Sequence, residues 1–166
     1  MEDMNMANTQ TKDRRRHKRY YVKNRTFAVV RSENHLLDQI NTMSKGEIAL
    51  AVIKSNPPKM GEIIEISRGG LSFSYVENEA GLDHLHEMDI LFVDEDFHLS
   101  RVLFKPIEDS VIEDDAPFNA LSMKRLTVQF TDLTPKQKLK IEHFIKNFTT
   151  QEVPSLSGKQ VWGSRS

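Results

Sequence analysis

The strongest constraint on how this chain can fold is a change of hydrophobic period near residue 134. Before it, apolar and polar residues exchange at almost every step in short runs, over residues 60–66, 71–76 and 126–130. A period of two turns one face of a strand to a core and the other away from it. After Thr134-Pro135 the period lengthens: Leu139, Ile141, Phe144, Ile145 and Phe148 fall at helical spacings. Proline in the first helical turn is a start signal. That stripe reads as packing of a helix on a sheet, or as a contact between two copies, rather than as a cofactor box.

The rest of the chain supplies more short β-type segments. Residues 27–31 and 88–93 read as strands, and Asp94-Glu95-Asp96 as an acidic turn. Residues 48–53 read as a strand or a short buried segment, before the firm breaker Asn56-Pro57-Pro58. Residues 102–104 continue the β pattern, Pro106 restricts it to an edge or an end, and 107–112 is a further short strand. Residues 32–46 carry no strong turn signature, and one helical turn through Leu36, Leu37 and Ile40 fits them. Many short strands and one late helix predict a mainly β fold, a small antiparallel barrel with a C-terminal α-helix. Closure removes the open edges that short strands otherwise leave.

At 166 residues there is room for one domain with tails. Residues 1–12 are polar and aperiodic and read as a disordered tail, and 149–166 as a flexible one. No cysteine is present, which excludes disulfides, thiolate chemistry and Cys-ligated metal. The longest apolar run, 48–53, is too short to span a bilayer. The N-terminus has no apolar core of a signal peptide, so a cytoplasmic location is the expectation. Net charge is −1, but residues 12–25 are strongly basic and residues 77–115 strongly acidic. A basic segment of that density is expected to meet an anion, or to fold over the chain's own acidic face.

Two segments concentrate the recognition chemistry. One is Arg14-Arg15-Arg16-His17-Lys18-Arg19, just ahead of the first apolar run. The other is Glu65-Ile66-Ser67-Arg68-Gly69-Gly70, a turn between two alternating runs. A guanidinium fork meets the O6 and N7 acceptors of guanine together and also pairs with phosphate. Ser67 offers a hydroxyl, Glu65 two acceptor oxygens for the guanine N1 and N2 donors, and Gly69 and Gly70 let backbone approach a ligand and permit the positive φ of a tight turn. Neither segment holds a nucleophile–base pair, so binding rather than catalysis is expected. In Asp83-His84-Leu85-His86-Glu87, His84 and His86 share a strand face suited to zinc, but no third ligand is evident and no metal is expected.

The two segments together resemble the PilZ domain family, whose best-known members are receptors for cyclic di-GMP. Arg15 and Arg19 match the family's pair of arginines four positions apart, ahead of the first barrel strand. Glu65, Ser67 and Gly70 follow its second motif, with Glu65 departing from the usual Asp or Asn. The resemblance covers residues 13–148: an arginine-rich arm over 13–25, a barrel over 26–132 and a helix over 134–148. It implies a non-enzymatic, stand-alone receptor that binds cyclic di-GMP as ligand, needs no cofactor, and relays the signal to an effector of motility, pilus or exopolysaccharide machinery. Arg14, Arg15, Arg19, Glu65, Ser67, Gly69 and Gly70 are then the ligand-binding candidates, Arg16 a less specified neighbour, on an arm that orders over the ligand. A homodimer is open. Two other readings remain: a degenerate interaction module without nucleotide, kept open by Glu65, and a polyanion-binding arm. No helix-turn-helix, zinc finger or aromatic stacking platform favours nucleic acid.

Overall fold

The computed structural model describes residues 17–32, 35–82, 86–112 and 122–154. The predicted tail over 1–12, the basic residues Arg14, Arg15 and Arg16, and His84 lie outside these. The chain runs through β1 (Tyr20–Val22), β2 (Phe27–Val30), α1 (Lys45–Ser55), β3 (Met60–Ser67), β4 (Gly70–Val76), β5 (His86–Phe92), β6 (Phe97–Val111), β7 (Met123–Phe130), α2 (Pro135–Phe148) and β8 (Thr149–Glu152). Every strand pairing is antiparallel. The order β2-β5-β6-β7-β4-β3, with β3 returning to β2, closes a six-stranded barrel.

β3 is shared along its length. Its first residues, Met60–Glu62, pair with β2, and Glu65 and Ile66 pair with β1. The switch from β1 to β2 takes place at Arg25, whose φ of 74° turns the chain sharply. Beyond the ring, β1 carries β8 on its outer edge. Thr149–Glu152, expected in a flexible tail, is instead held as a strand, and residues 155–166 lie outside the described ones.

The barrel is filled by the inward set of each strand, including Ala28, Ile63, Ile66, Phe73, Ile90, Val102, Phe104, Leu126 and Val128. α2 closes one end. Thr134 and Gln137 cap it reciprocally, satisfying backbone donors that a helix start leaves open. Its Ile141, Phe144 and Phe148 are buried, and Phe97 meets Phe144 and Phe148 edge-on at centroid distances of 5.2 and 5.7 Å. Leu139 does not join the stripe: it is 68% exposed, two residues and more than half a helical turn from Ile141.

Residues 35–58 form an insertion between β2 and β3 on the outside of the barrel. The helical turn expected at Leu36, Leu37 and Ile40 is present as a 3-10 segment, Leu36–Thr42. Residues 48–53 belong to a helix, not a strand. A capping box between Ser44 and Glu47 starts it, and Asn56 ends it in the left-handed conformation. A continuous apolar run has no period that distinguishes the two states. Ala51, Val52, Leu37 and Ile40 pack on Val29 and Leu91, the outward residues of β2 and β5. These two strands are thus covered on both faces.

A buried ion network pins this insertion. Asp89 of β5, fully buried, receives Arg31 Nε at 2.5 Å and Nη2 at 2.9 Å, with His98 Nε2 at 2.6 Å and the Arg101 amide at 3.2 Å. Arg31 Nη1 continues to Asp38 at 2.6 Å, and Arg101 reaches the same carboxylate. Burial pushes the Asp89 carboxyl up, but bonds from His98 and Arg31 outweigh it and hold it below the ordinary range.

β6 also differs from expectation, running unbroken through Pro106. Its β5 pairing spans Phe97–Phe104 and its β7 pairing continues to Val111, so Pro106 has a neighbour on one side only, next to a bulge. A proline, which lacks a donor, fits there.

Candidate functional site

The β3–β4 hairpin is built to present its polar residues outward. Between Ile63 and Glu65 the register slips against β4, so Ile63 opposes Phe73 while Glu65 opposes Ser72. This bulge lets Ile63 and Ile66, three residues apart, both enter the core and aims Glu65 out of the barrel. The turn is Arg68-Gly69, between the paired Ser67 and Gly70. Ser67 Oγ accepts the Gly69 amide at 3.1 Å and lies 3.4 Å from the Gly70 carbonyl. The Gly69 carbonyl in turn accepts the Phe130 amide at 2.8 Å, tying the turn to β7.

Neither glycine adopts the left-handed φ expected for the turn. The requirement is space. A Cβ on Gly70 would sit 2.1 Å from the backbone carbonyl of Val128, and one on Gly69 would sit 2.8 Å from the His17 ring. The first neighbour is a paired strand that cannot retreat.

Glu65 is the centre of the charge arrangement. Its side chain is 8% exposed and is held from two sides. Arg19 Nη1 is 3.3 Å from Oε1, and Arg125 Nη2 is 2.8 Å from Oε2. Arg19 precedes β1, and β1 lies beside β3; Arg125 comes from β7, with β4 in between. β4 turns Ser72 and Ser74 to that face, since Leu71, Phe73 and Tyr75 fill the core. Their short side chains leave the span from Arg125 to Glu65 open.

A concavity of about 580 Å³ gathers this hairpin with the neighbouring strands. That lies inside the roughly 300–1,000 Å³ typical of small-molecule sites. Arg19, Glu65, Ser67, Gly69 and Gly70 all line it, so five of the seven sequence candidates converge. Arg14 and Arg15 fall outside the described residues, as does Arg16. His17, Ser72, Ile107, Thr127 and Gln129 also line it, and sequence reasoning did not single them out. Ser72 Oγ is buried with no hydrogen-bond partner among the described residues. Arg125 was missed too. The alternation in β7 puts it on one face with Thr127 and Gln129, but its relation to Glu65 depends on the β4–β7 register, which no local pattern encodes.

The described part of the basic segment is also paired with the chain's own acids. Arg25 meets Asp94 at 3.2 Å and Lys18 meets Glu152 at 4.0 Å. Among the described residues no group of three His, Asp or Glu side chains is arranged to hold a metal ion, and no helix is long and apolar enough to cross a membrane.

No family model and no curated protein matches the chain by sequence. Solved structures do match its fold. The PilZ domain with c-di-GMP of YcgR from Escherichia coli superposes with a TM-score of 0.57 at 11% identity, over 81% of this chain and 91% of that one. MrkH, described as a c-di-GMP-dependent transcription regulatory factor, gives 0.54 at 14% identity, over 80% of this chain and 50% of that one. The K. pneumonia MrkH–c-di-GMP complex gives 0.55 at 14%, over 80% and 51%. The chain therefore spans about half the length of MrkH and nearly all of the YcgR domain. A closed antiparallel barrel with the helix at its end, sharing this superposition, gives the chain the fold of the PilZ domain.

Proposed function

We propose that this protein binds cyclic di-GMP between its arginine-rich arm and the β3–β4 turn, and relays that state to a partner protein. The observation that carries the reading is the meeting of Arg19, Glu65, Ser67, Gly69 and Gly70 at one concavity, from segments some 46 residues apart. Two of the structures that share the fold, the YcgR PilZ domain and the MrkH complex, hold c-di-GMP, which adds support. Arg19, with Arg15 and Arg14 ahead of it, supplies forks for guanine edges and phosphates. Ser67 and the turn amides supply donors to phosphate oxygens, and the glycines keep the floor low. The arm orders over the ligand, so binding reshapes the surface a partner reads. The barrel supplies no reacting group in this scheme, and the protein acts as a cytoplasmic receptor and adaptor.

Isothermal calorimetry tests this. Wild type should bind cyclic di-GMP at micromolar concentration or below, and Arg15→Ala and Arg19→Ala should each weaken binding by at least about tenfold, the scale of one lost charged hydrogen bond. One observation favours a second reading. Glu65 already engages Arg19, and a pair that never opens would leave an adaptor without nucleotide. Absence of heat with the wild type would select that reading. Binding of any oligonucleotide with equal strength, lost on adding modest salt, would select a polyanion arm instead.

A further inference from the structure

We propose that Arg125 is the positioning residue that makes a glutamate at position 65 serve as the guanine-reading carboxylate of this site. The inference rests on the cyclic di-GMP reading above and deepens it. Glu65 holds two guanidinium groups, one per oxygen. Their attachments differ. Arg19 sits just before β1 and its side chain is 38% exposed, so it can swing to a ligand. Arg125 is fixed within β7, paired with Ser74 on one side and Ser110 on the other.

When Arg19 turns to a guanine edge or a phosphate, Glu65 Oε1 loses its partner. Arg125 keeps Oε2 at 2.8 Å, so the carboxylate stays fixed while Oε1 faces the ligand. Guanine offers N1–H and N2–H donors to such an acceptor. Adenine offers an unprotonated N1 there, so the pair selects guanine, and a mismatch leaves a buried carboxylate oxygen unsatisfied. The extra methylene of Glu65 has a reason in this arrangement. It spans to a cation lying beyond β4, a reach that an aspartate would lack. The buried hydroxyl of Ser72, without a partner among the described residues and opposite Glu65 across the hairpin, adds a polar group at the same spot for a ligand or water to satisfy.

The test is calorimetry on the full chain with cyclic di-GMP and cyclic di-AMP, for wild type, Arg125→Ala, Arg125→Lys, Glu65→Asp and the Arg125→Ala/Glu65→Asp double variant. Wild type should prefer the guanine ligand. Arg125→Ala should lose about tenfold in cyclic di-GMP affinity and narrow the ratio between the two ligands, with Arg125→Lys recovering part of both. Glu65→Asp should also bind more weakly, and adding Arg125→Ala to it should change little, because the two side chains act through one contact. Unchanged affinity and ratio in Arg125→Ala, or losses that add in the double variant, would overturn the inference while leaving the receptor reading intact. No binding by wild type would remove the receptor reading and this inference with it. Should Arg125→Ala fail to fold, Arg125→Lys and Glu65→Asp still decide through the ratio.

Discussion

Gly70 shows how a residue visible in the sequence can be right for a different reason. The sequence pattern suggests a glycine chosen for turn conformation, yet the backbone there is not left-handed. What matters is β7, whose Val128 carbonyl lies where a side chain would begin. Gly70→Ala must push two hydrogen-bonded strands apart, at a cost of about 1–3 kcal/mol or more, and should lower the urea midpoint and weaken cyclic di-GMP binding together. Gly69→Ala meets only the movable His17 ring and should cost less. Equal stability of both variants and the wild type would refute the close-approach argument. Glu65 is the complementary case. Its departure from the motif is legible in the sequence, but the compensating cation is not. Arg125 lies sixty residues later and two strands away, and only the barrel register brings it near.

At the scale of elements, what could be read depended on whether a local period existed. The β3–β4 hairpin and α2 were legible because alternation and helical spacing are properties of short windows. β1 and β8 are too short to announce themselves and form only because β3 and β1 offer free edges. Residues 48–53 read as a strand or a short buried segment because they are apolar throughout; the helical state of α1 is fixed by Ser44, Glu47 and Asn56 at its ends and by packing on β2 and β5. The Arg31–Asp89 contact that anchors this insertion was invisible, since it joins residues far apart in sequence. Removing Arg31 would leave the fully buried Asp89 carboxylate without its guanidinium, held only by His98 and the Arg101 amide. Arg31→Ala is therefore expected to destabilise the fold by about 3–5 kcal/mol, read by urea denaturation. A loss below about 1 kcal/mol, the usual value of a surface pair, would show that the network is not an anchor.

Across the described residues, several basic side chains meet acids from distant parts of the chain. Arg25, Lys45, Arg31 and Arg101 each meet an acid of the body. This arrangement makes acid stability a readable property. Hydrogen bonds from Arg31, then Arg101, hold the Asp38 carboxyl at about 2, below its ordinary 3.8. The unfolded chain takes up that proton first. The contribution of Asp38 is thus fully present above pH 3.8 and is lost as pH falls through about 2. Between those values the urea midpoint of wild type should fall more steeply than that of Asp38→Asn, and parallel curves would show that the pair does not contribute.

The proposed binding place of cyclic di-GMP is the concavity where Arg19 meets the β3–β4 turn. Amide chemical shifts of ¹⁵N-labelled protein during a cyclic di-GMP titration locate the ligand directly. Saturable shifts are expected at Arg19, Ser67, Gly69 and Gly70, with the amides of α1, on the far wall of the barrel, left in place. Shifts confined to other surfaces, or none at millimolar ligand, would contradict it.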